Sequence, residues 1–404
     1  MCDIREDLGI KLASPYFEEA YQKALSEPAL PVWLTEEYIH RLNDTYRVLP
    51  KTYEKVLAAL CEVVKIPSLC LLAKTVYHIL DTKLPYGEAF TDLDLPKPPE
   101  GARSIGYDCV MLFPVLGHIV ASHDALAARG VDEDVITASL LWTDNFFAEA
   151  CEKLGKLAYP KEYFAAYGAG IYVKTLIIGR LRFEIAKEAI HPVRMYQSRK
   201  GELLPLMDHV TLHQSGQMLG SFGCEEESGS FLAEVTETED AYEGYTVDPV
   251  TRLVLKERIR LPKSEWTEIY RRGMNAIKVH IPAGGRLDPA ACEASYTRAK
   301  ELLPRAYPEY RFSCFLICCW MLSPLLKEIL PPTSNIVVFG EKYTVFPMKS
   351  DAKDAFGYVF GIHGKELSKI DFASLPEENS LQRGIKREAL LGRFVHQYGG
   401  YIPW

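Results

Sequence analysis

None of the ten cysteines forms a Cys-x-x-Cys pair, and none stands at zinc-site spacing from a histidine. With neither a disulfide framework nor a cysteine-held metal in the pattern, the cysteines read as reduced, mostly buried thiols, and no metal is expected. Positive charge is in deficit as well. Lys and Arg total 46 against 54 Asp and Glu, for a net charge of −8, whereas a chain that follows a phosphate backbone carries a basic excess. Nucleic acid is therefore not an expected partner. Long apolar runs are missing too: the longest, Phe312 to Leu322, is interrupted by Ser313 and falls well short of the ~20 residues of a membrane helix. The chain starts Met1-Cys2-Asp3-Ile4-Arg5-Glu6-Asp7, acidic where a secretory signal is basic and then apolar, so a cytoplasmic protein without membrane association is expected. Neither internal repeats nor low-complexity tracts occur.

What is present is ordinary globular material, 48% apolar and 25% charged over 404 residues, enough at ~150 residues per domain for two domains, each with its own core. Up to about residue 170 the apolar spacing is helical, with helices predicted over Thr52 to Val64, Leu71 to Thr82 and Asp108 to Arg129, the last stopped by Gly130. Asp132 stands as the N-cap of a further helix, Glu133 to Leu157. Pro96-Lys97-Pro98-Pro99-Glu100-Gly101 forbids a helix and is read as a loop between helical subgroups.

Beyond about residue 175 the vocabulary turns to β. Leu176 to Ile185 alternates, Tyr245 to Val247 and Leu253 to Leu255 flank an Asp248-Pro249 turn, and Ile277 to Pro282 is a strand. That strand runs into Ala283-Gly284-Gly285-Arg286-Leu287, after which Asp288-Pro289 opens a helix to about Leu303. Arg311 to Leu322, apolar on both parities, reads as a buried strand, followed by a short helix over Ser323 to Leu330 and strands over Asn335 to Phe346 and Phe356 to Ile362. The acidic stretches Glu225 to Glu227 and Glu237 to Glu243 read as solvated loops beside a hairpin.

Ile277 to Leu287, the run Cys314 to Leu325, Ser334-Asn335-Ile336 with Phe339, Gly179 to Glu184 and Ser380 to Arg383 together resemble the C-terminal domain of bacterial two-domain acyltransferases with a GNAT-like (N-acetyltransferase-like) fold, and the helical half resembles their N-terminal domain more loosely. The resemblance implies an α+β protein, with an α-helical N-terminal domain over 1–175 and a GNAT-like domain with a mixed β-sheet over 176–404. It implies acetyl-CoA or another acyl-CoA as co-substrate, a small-molecule amine as acceptor, pantetheine beside the strand ending near Ile281, and a pyrophosphate cradle formed by Ile281, Ala283, Gly284, Gly285, Arg286 and Leu287. The loop departs from the usual pattern of that fold, with Ile281 at its Gln/Arg position and Arg286 at its last Gly/Ala position.

Free amides before a helix, reached past residues without a Cβ, are the physical basis of such a cradle. Acyl transfer to an amine needs a proton acceptor, a polarised thioester carbonyl and a proton for the departing thiolate. Candidates for the proton work are His280, Glu184 and Tyr343, against their structural readings as a satisfied strand histidine, a member of a surface ion-pair ladder with Arg180 and Arg182, and a core tyrosine among 23. Cys318 and Cys319 read as core packing rather than as an acyl-enzyme nucleophile, so direct transfer in a ternary complex is expected. The rival reading is a non-catalytic GNAT-like ligand-binding or scaffold protein, favoured by the altered loop.

Overall fold

Helical spacing in the first half is realised as helices. The computed structural model describes residues 4–10, 15–81, 96–101, 103–158, 174–186, 189 and 191–404, and the chain divides into two compact units, Met1–Ile178 and Gly179–Trp404. The helical unit contains α1 (Ile4–Leu8), α2 (Pro15–Ser26), α3 (Glu36–Asp44), α4 (Tyr53–Val63), α5 (Pro67–Asp81), α6 (Ile105–Cys109), α7 (Leu112–Gly117), α8 (Ile119–Ala128) and α9 (Glu133–Leu154), and ends in the short strand β1 (Thr175–Ile178). The sequence places one helix over Asp108 to Arg129; the structure has three pieces there. Pro114 supplies no N–H and crowds the carbonyl of Val110, four residues back, and the break falls between Cys109 and Leu112. The predicted end of α5 at Thr82 and the composition change near residue 170 lie outside the described residues.

Two buried charges hold this unit. Asp144 of α9, fully buried, accepts from Lys51 N at 2.8 Å, Thr52 N at 3.0 Å and Thr52 Oγ1 at 2.5 Å, closing the start of α4. Lys74 of α5 donates to Ala24 O at 2.7 Å and Pro28 O at 3.1 Å, satisfying carbonyls at the end of α2. Among the described residues no single helix is both long and apolar enough to cross a membrane.

The second unit is built on two sheets. Its first sheet runs, within the unit, in the order β2 (Leu181–Ala186), β11 (Ala276–His280), β12 (Cys314–Cys319), β14 (Tyr398–Pro403), β13 (Thr344–Pro347). It is mixed, because β11 and β12 are parallel and the other pairs antiparallel. The second sheet runs β10 (Trp266–Tyr270), β3 (Val193–Ser198), β4 (Leu203–Met207), β8 (Ala241–Val247), β7 (Thr236–Glu237), with β9 (Val254–Pro262) on β8, and β5 (Val210–Leu212) pairs β6 (Phe231–Ala233) separately. Met195, Met207 and Tyr270 of the second sheet meet Ala276, Leu316, Phe346 and Tyr401 of the first in one buried cluster. The long helix α10 (Pro289–Ala306) covers the other face of the first sheet, its Tyr296 ring 5.7 Å from Phe183 and 5.0 Å from Phe315.

Four strand or loop expectations are corrected. Leu176 to Ile185 is two strands, separated by a turn at Gly179-Arg180. Asn335 to Phe346 is helix α12 (Asn335–Gly340), following α11 (Leu325–Ile329), and only then β13; burial of Val337 and Phe339 outweighs the β propensity of a branched run. Phe356 to Ile362 is the end of α13 (Lys353–Phe360) and its exit, where Gln382 of α14 (Ser380–Leu390) donates to Val359 O at 3.2 Å. The stretch Glu237 to Glu243 is the β7–β8 hairpin itself, its acids paired with β9 and its neighbourhood: Glu243 lies opposite Arg260, and Lys263 reaches Glu237 at 2.8 Å.

Candidate functional site

Antiparallel pairing of β2 with β11 puts Lys278 opposite Glu184 and His280 opposite Arg182. Side chains alternate along a strand, so these four share one face and Phe183, Ile277 and Val279 share the other, against α10. Glu184 sits at the centre of a charged cluster. Its Oε2 lies 2.8 Å from His280 Nε2 and its Oε1 accepts from Lys278 Nζ at 3.2 Å. Burial alone pushes the Glu184 carboxyl up, but the His280 hydrogen bond and the Lys278 and His280 charges outweigh it and hold the group down at about 2. Glu184 is therefore a permanent anion at neutral pH that orients the imidazole. The imidazole itself is 37% exposed against 19% for Glu184, leaving Nδ1 as its available nitrogen.

Beyond this cluster the sheet opens. β11 and β12 pair through Ile277 with Phe315 and Lys278 with Leu316 only. Each keeps its outer partner further along, His280 opposite Arg182 on one side and Cys318 opposite Gly399 on the other. The backbone edges of Val279–His280 and Ile317–Cys319 thus face an opening in the middle of the sheet. His280 and Cys318 stand on the same face, on either side of it. Cys318 is exposed, contrary to its reading as core packing, yet enough protein surrounds the thiol that burial pushes it up to about 11. Its Sγ donates to Gln397 Oε1 at 3.2 Å, and Gln397 Nε2 donates to Asp354, whose carboxyl is raised by burial. The sequence carried no signal for this chain of contacts, nor for Lys278, because it arises from strand register and from a loop far along the chain.

β11 leads directly into the glycine loop. Residues 283–286 are exposed and Leu287 is buried, anchoring the far end. Gly284 and Gly285 have φ of +79° and +72°, and a Cβ at Gly284 would meet nothing within 4 Å. Glycine is required there by backbone conformation, not by crowding. Asp288 caps α10 by accepting from Ala291 N at 2.8 Å.

The three proton-transfer candidates do not converge. Glu184 and His280 are joined, but Tyr343 bonds the hydroxyl of Tyr296, on the α10 face, and is buried with its hydroxyl held well above the ordinary tyrosine value by burial and by that neighbour. It lies on the α10 face of the sheet, opposite the face that carries Glu184 and His280. Among the described residues no group of three or more His, Cys, Asp or Glu side chains is placed to hold a metal ion.

A helical unit followed by a mixed sheet that opens between its two parallel strands defines a two-domain protein of the GNAT-like class. Residues 176–402 match the family of the GNAT-like C-terminal domain, over half of the chain, and the chain belongs to that family. Solved structures similar to it along 99% of its length and 98% of theirs include an acyltransferase in complex with decanoyl-CoA and teicoplanin (18% identity, TM-score 0.62), a mutant acyltransferase in complex with octanoyl-CoA (19%, 0.62), and an acyltransferase in complex with CoA and 10C-teicoplanin (18%, 0.62). At these identities the likeness is one of fold. No curated protein gives a significant sequence match.

Proposed function

We propose that this protein transfers an acyl group from an acyl-CoA thioester to an amine of a small-molecule acceptor, directly and in a ternary complex. The observation that carries the reading is the opening between β11 and β12, which runs straight into the Ala283–Leu287 loop: free strand edges take the pantetheine arm, and exposed loop amides take the pyrophosphate. The family membership and the acyl-CoA ligands of the similar structures support it, as does teicoplanin in one of them for a small-molecule acceptor.

In this reading His280 accepts the proton of the attacking amine, by its free Nδ1, while Glu184 holds the ring through Nε2. The amine lone pair forms the new bond to the thioester carbonyl carbon, the C–S bond breaks, and the CoA thiolate takes back one proton from the imidazolium, so no net proton is consumed. Cys318, protonated at neutral pH, forms no acyl intermediate.

Calorimetry with acetyl-, octanoyl- and decanoyl-CoA, followed by turnover against a panel of amines, tests the reading. Binding in the micromolar range with turnover of at least one amine is expected. No binding under conditions that resolve ~100 μM affinity overturns it. Binding without turnover favours a non-catalytic ligand-binding protein, which the atypical loop sequence and the closed Glu184–Lys278–His280 ion cluster also suit.

A further inference from the structure

Arg180, in the turn before β2, engages three backbone carbonyls of the glycine loop. Its Nη1 donates to Pro282 O at 3.0 Å, Nη2 to Gly285 O at 3.3 Å and Nε to Arg286 O at 2.9 Å. Its own backbone is fixed to α10: Arg180 N donates to Ser295 Oγ at 2.8 Å, and Ser295 Oγ donates to Ala291 O at 2.7 Å. The turn approaches that serine so closely that a Cβ at Gly179, where φ is +61°, would stand 2.7 Å from Ser295 Oγ.

A trans peptide is planar, with its C=O and the following N–H on opposite sides. Three carbonyls drawn onto one guanidinium therefore turn the N–H groups of Ala283, Arg286 and Leu287 away from it, and none of these donates a backbone hydrogen bond among the described residues. The end of α10 offers little to an anion, because the Asp288 carboxylate already occupies it. We propose that Arg180 is the positioning residue of the acyl-CoA site: it holds the loop carbonyls on one side so that the loop amides face the pyrophosphate, and its charge offsets that of Asp288. The role rests on the acyl-CoA reading and adds to it a residue that need not touch the cofactor. Lysine does not replace it, since a single ammonium lacks the planar fork that spans three acceptors.

The test compares octanoyl-CoA with octanoyl-pantetheine, which has the same thioester arm and no pyrophosphate, on the parent, Arg180→Ala and Arg180→Lys proteins. CoA affinity is expected to fall at least about tenfold in both variants with octanoyl-pantetheine affinity unchanged, and in turnover the KM for acyl-CoA should rise while kcat holds. Arg180→Lys keeps the charge and serves alone if Arg180→Ala fails to fold. Parent-like CoA binding by the variants overturns the role, and so does an equal loss of both ligands, which would make Arg180 a general support of the turn. A parent protein that binds no CoA removes the acyl-CoA reading first, a result distinct from either.

Discussion

Glu184 and His280 sit on adjacent antiparallel strands, two residues out of direct register and so on the same face, with Oε2 and Nε2 2.8 Å apart. The diagonal lets Glu184 reach Lys278, directly opposite, with its other oxygen. A carboxylate held down at about 2 by these two neighbours is ionised at neutral pH and, in the proposed mechanism, orients the imidazole instead of accepting the proton itself.

Replacing His280 by alanine should therefore lower kcat by about 10²–10⁴-fold while CoA affinity stays near that of the parent. Glu184→Gln should lower kcat less, since the amide still fills the space beside the imidazole but no longer holds it with a charged hydrogen bond. Steady-state kinetics alongside calorimetry separates the two effects; a His280→Ala protein with full turnover would leave the site without its proton acceptor.

Acid should remove stability in two windows. The buried imidazole of His191, pushed by burial from 6.5 down to about 4, is neutral in the folded protein and takes up a proton more readily when unfolded, so stability falls as pH drops from 6.5 toward 4. Glu184, lowered from 4.5 to about 2, contributes stability that is present above pH 4.5 and lost as pH falls toward 2. Each is worth up to about 3 kcal/mol. Urea unfolding across pH should show a smaller stability loss in the upper window for His191→Leu and in the lower window for Glu184→Gln, the remainder coming from other buried histidines such as His118 and His396 and from paired carboxylates such as Glu388.

Valine at Gly284 or Gly285 meets little steric obstruction within the protein but cannot hold φ near +75° without strain of roughly 1–2 kcal/mol. The expected outcome is a folded protein with a reshaped loop and strongly weakened CoA binding. Arg286→Ala should cost on the order of 1 kcal/mol of binding, shrinking as salt is raised. A folded Gly284→Val, Gly285→Val double variant that binds CoA like the parent would reduce the pair to a simple turn.

Cys318, exposed at the opening with its thiol near 11, should react slowly with iodoacetamide at neutral pH and faster as pH rises toward that value. Bound acyl-CoA should protect it. Cys318→Ser should retain turnover, and mass spectrometry after a single turnover should find no acyl group on the protein; a stoichiometric adduct at Cys318 would replace direct transfer with a covalent route.

In the helical unit, Asp144→Ala leaves the buried Thr52 hydroxyl and amide without their acceptor and is expected to destabilise by about 2–4 kcal/mol. Chemical denaturation measures this directly.

The chain itself determines those features whose cause lies within a few residues. Asp288-Pro289 starts α10 because an N-cap carboxylate and a fixed proline φ act on the next turn, and Gly284-Gly285 makes a loop because only glycine enters positive φ freely. The order of helical half and β half is likewise written in local periodicity. Run length and branching misread α12 and α13, where burial of Val337, Phe339 and Phe356 selects the helix. The site lies beyond any such local cause. That β11 and β12 part after Lys278 and Leu316, that Glu184 reaches His280, that Tyr343 falls on the α10 face of the sheet and that Arg180 holds the loop all depend on register between segments up to about a hundred residues or more apart. Pairing register sets which side chains share a face, and a shift of one residue would exchange them all.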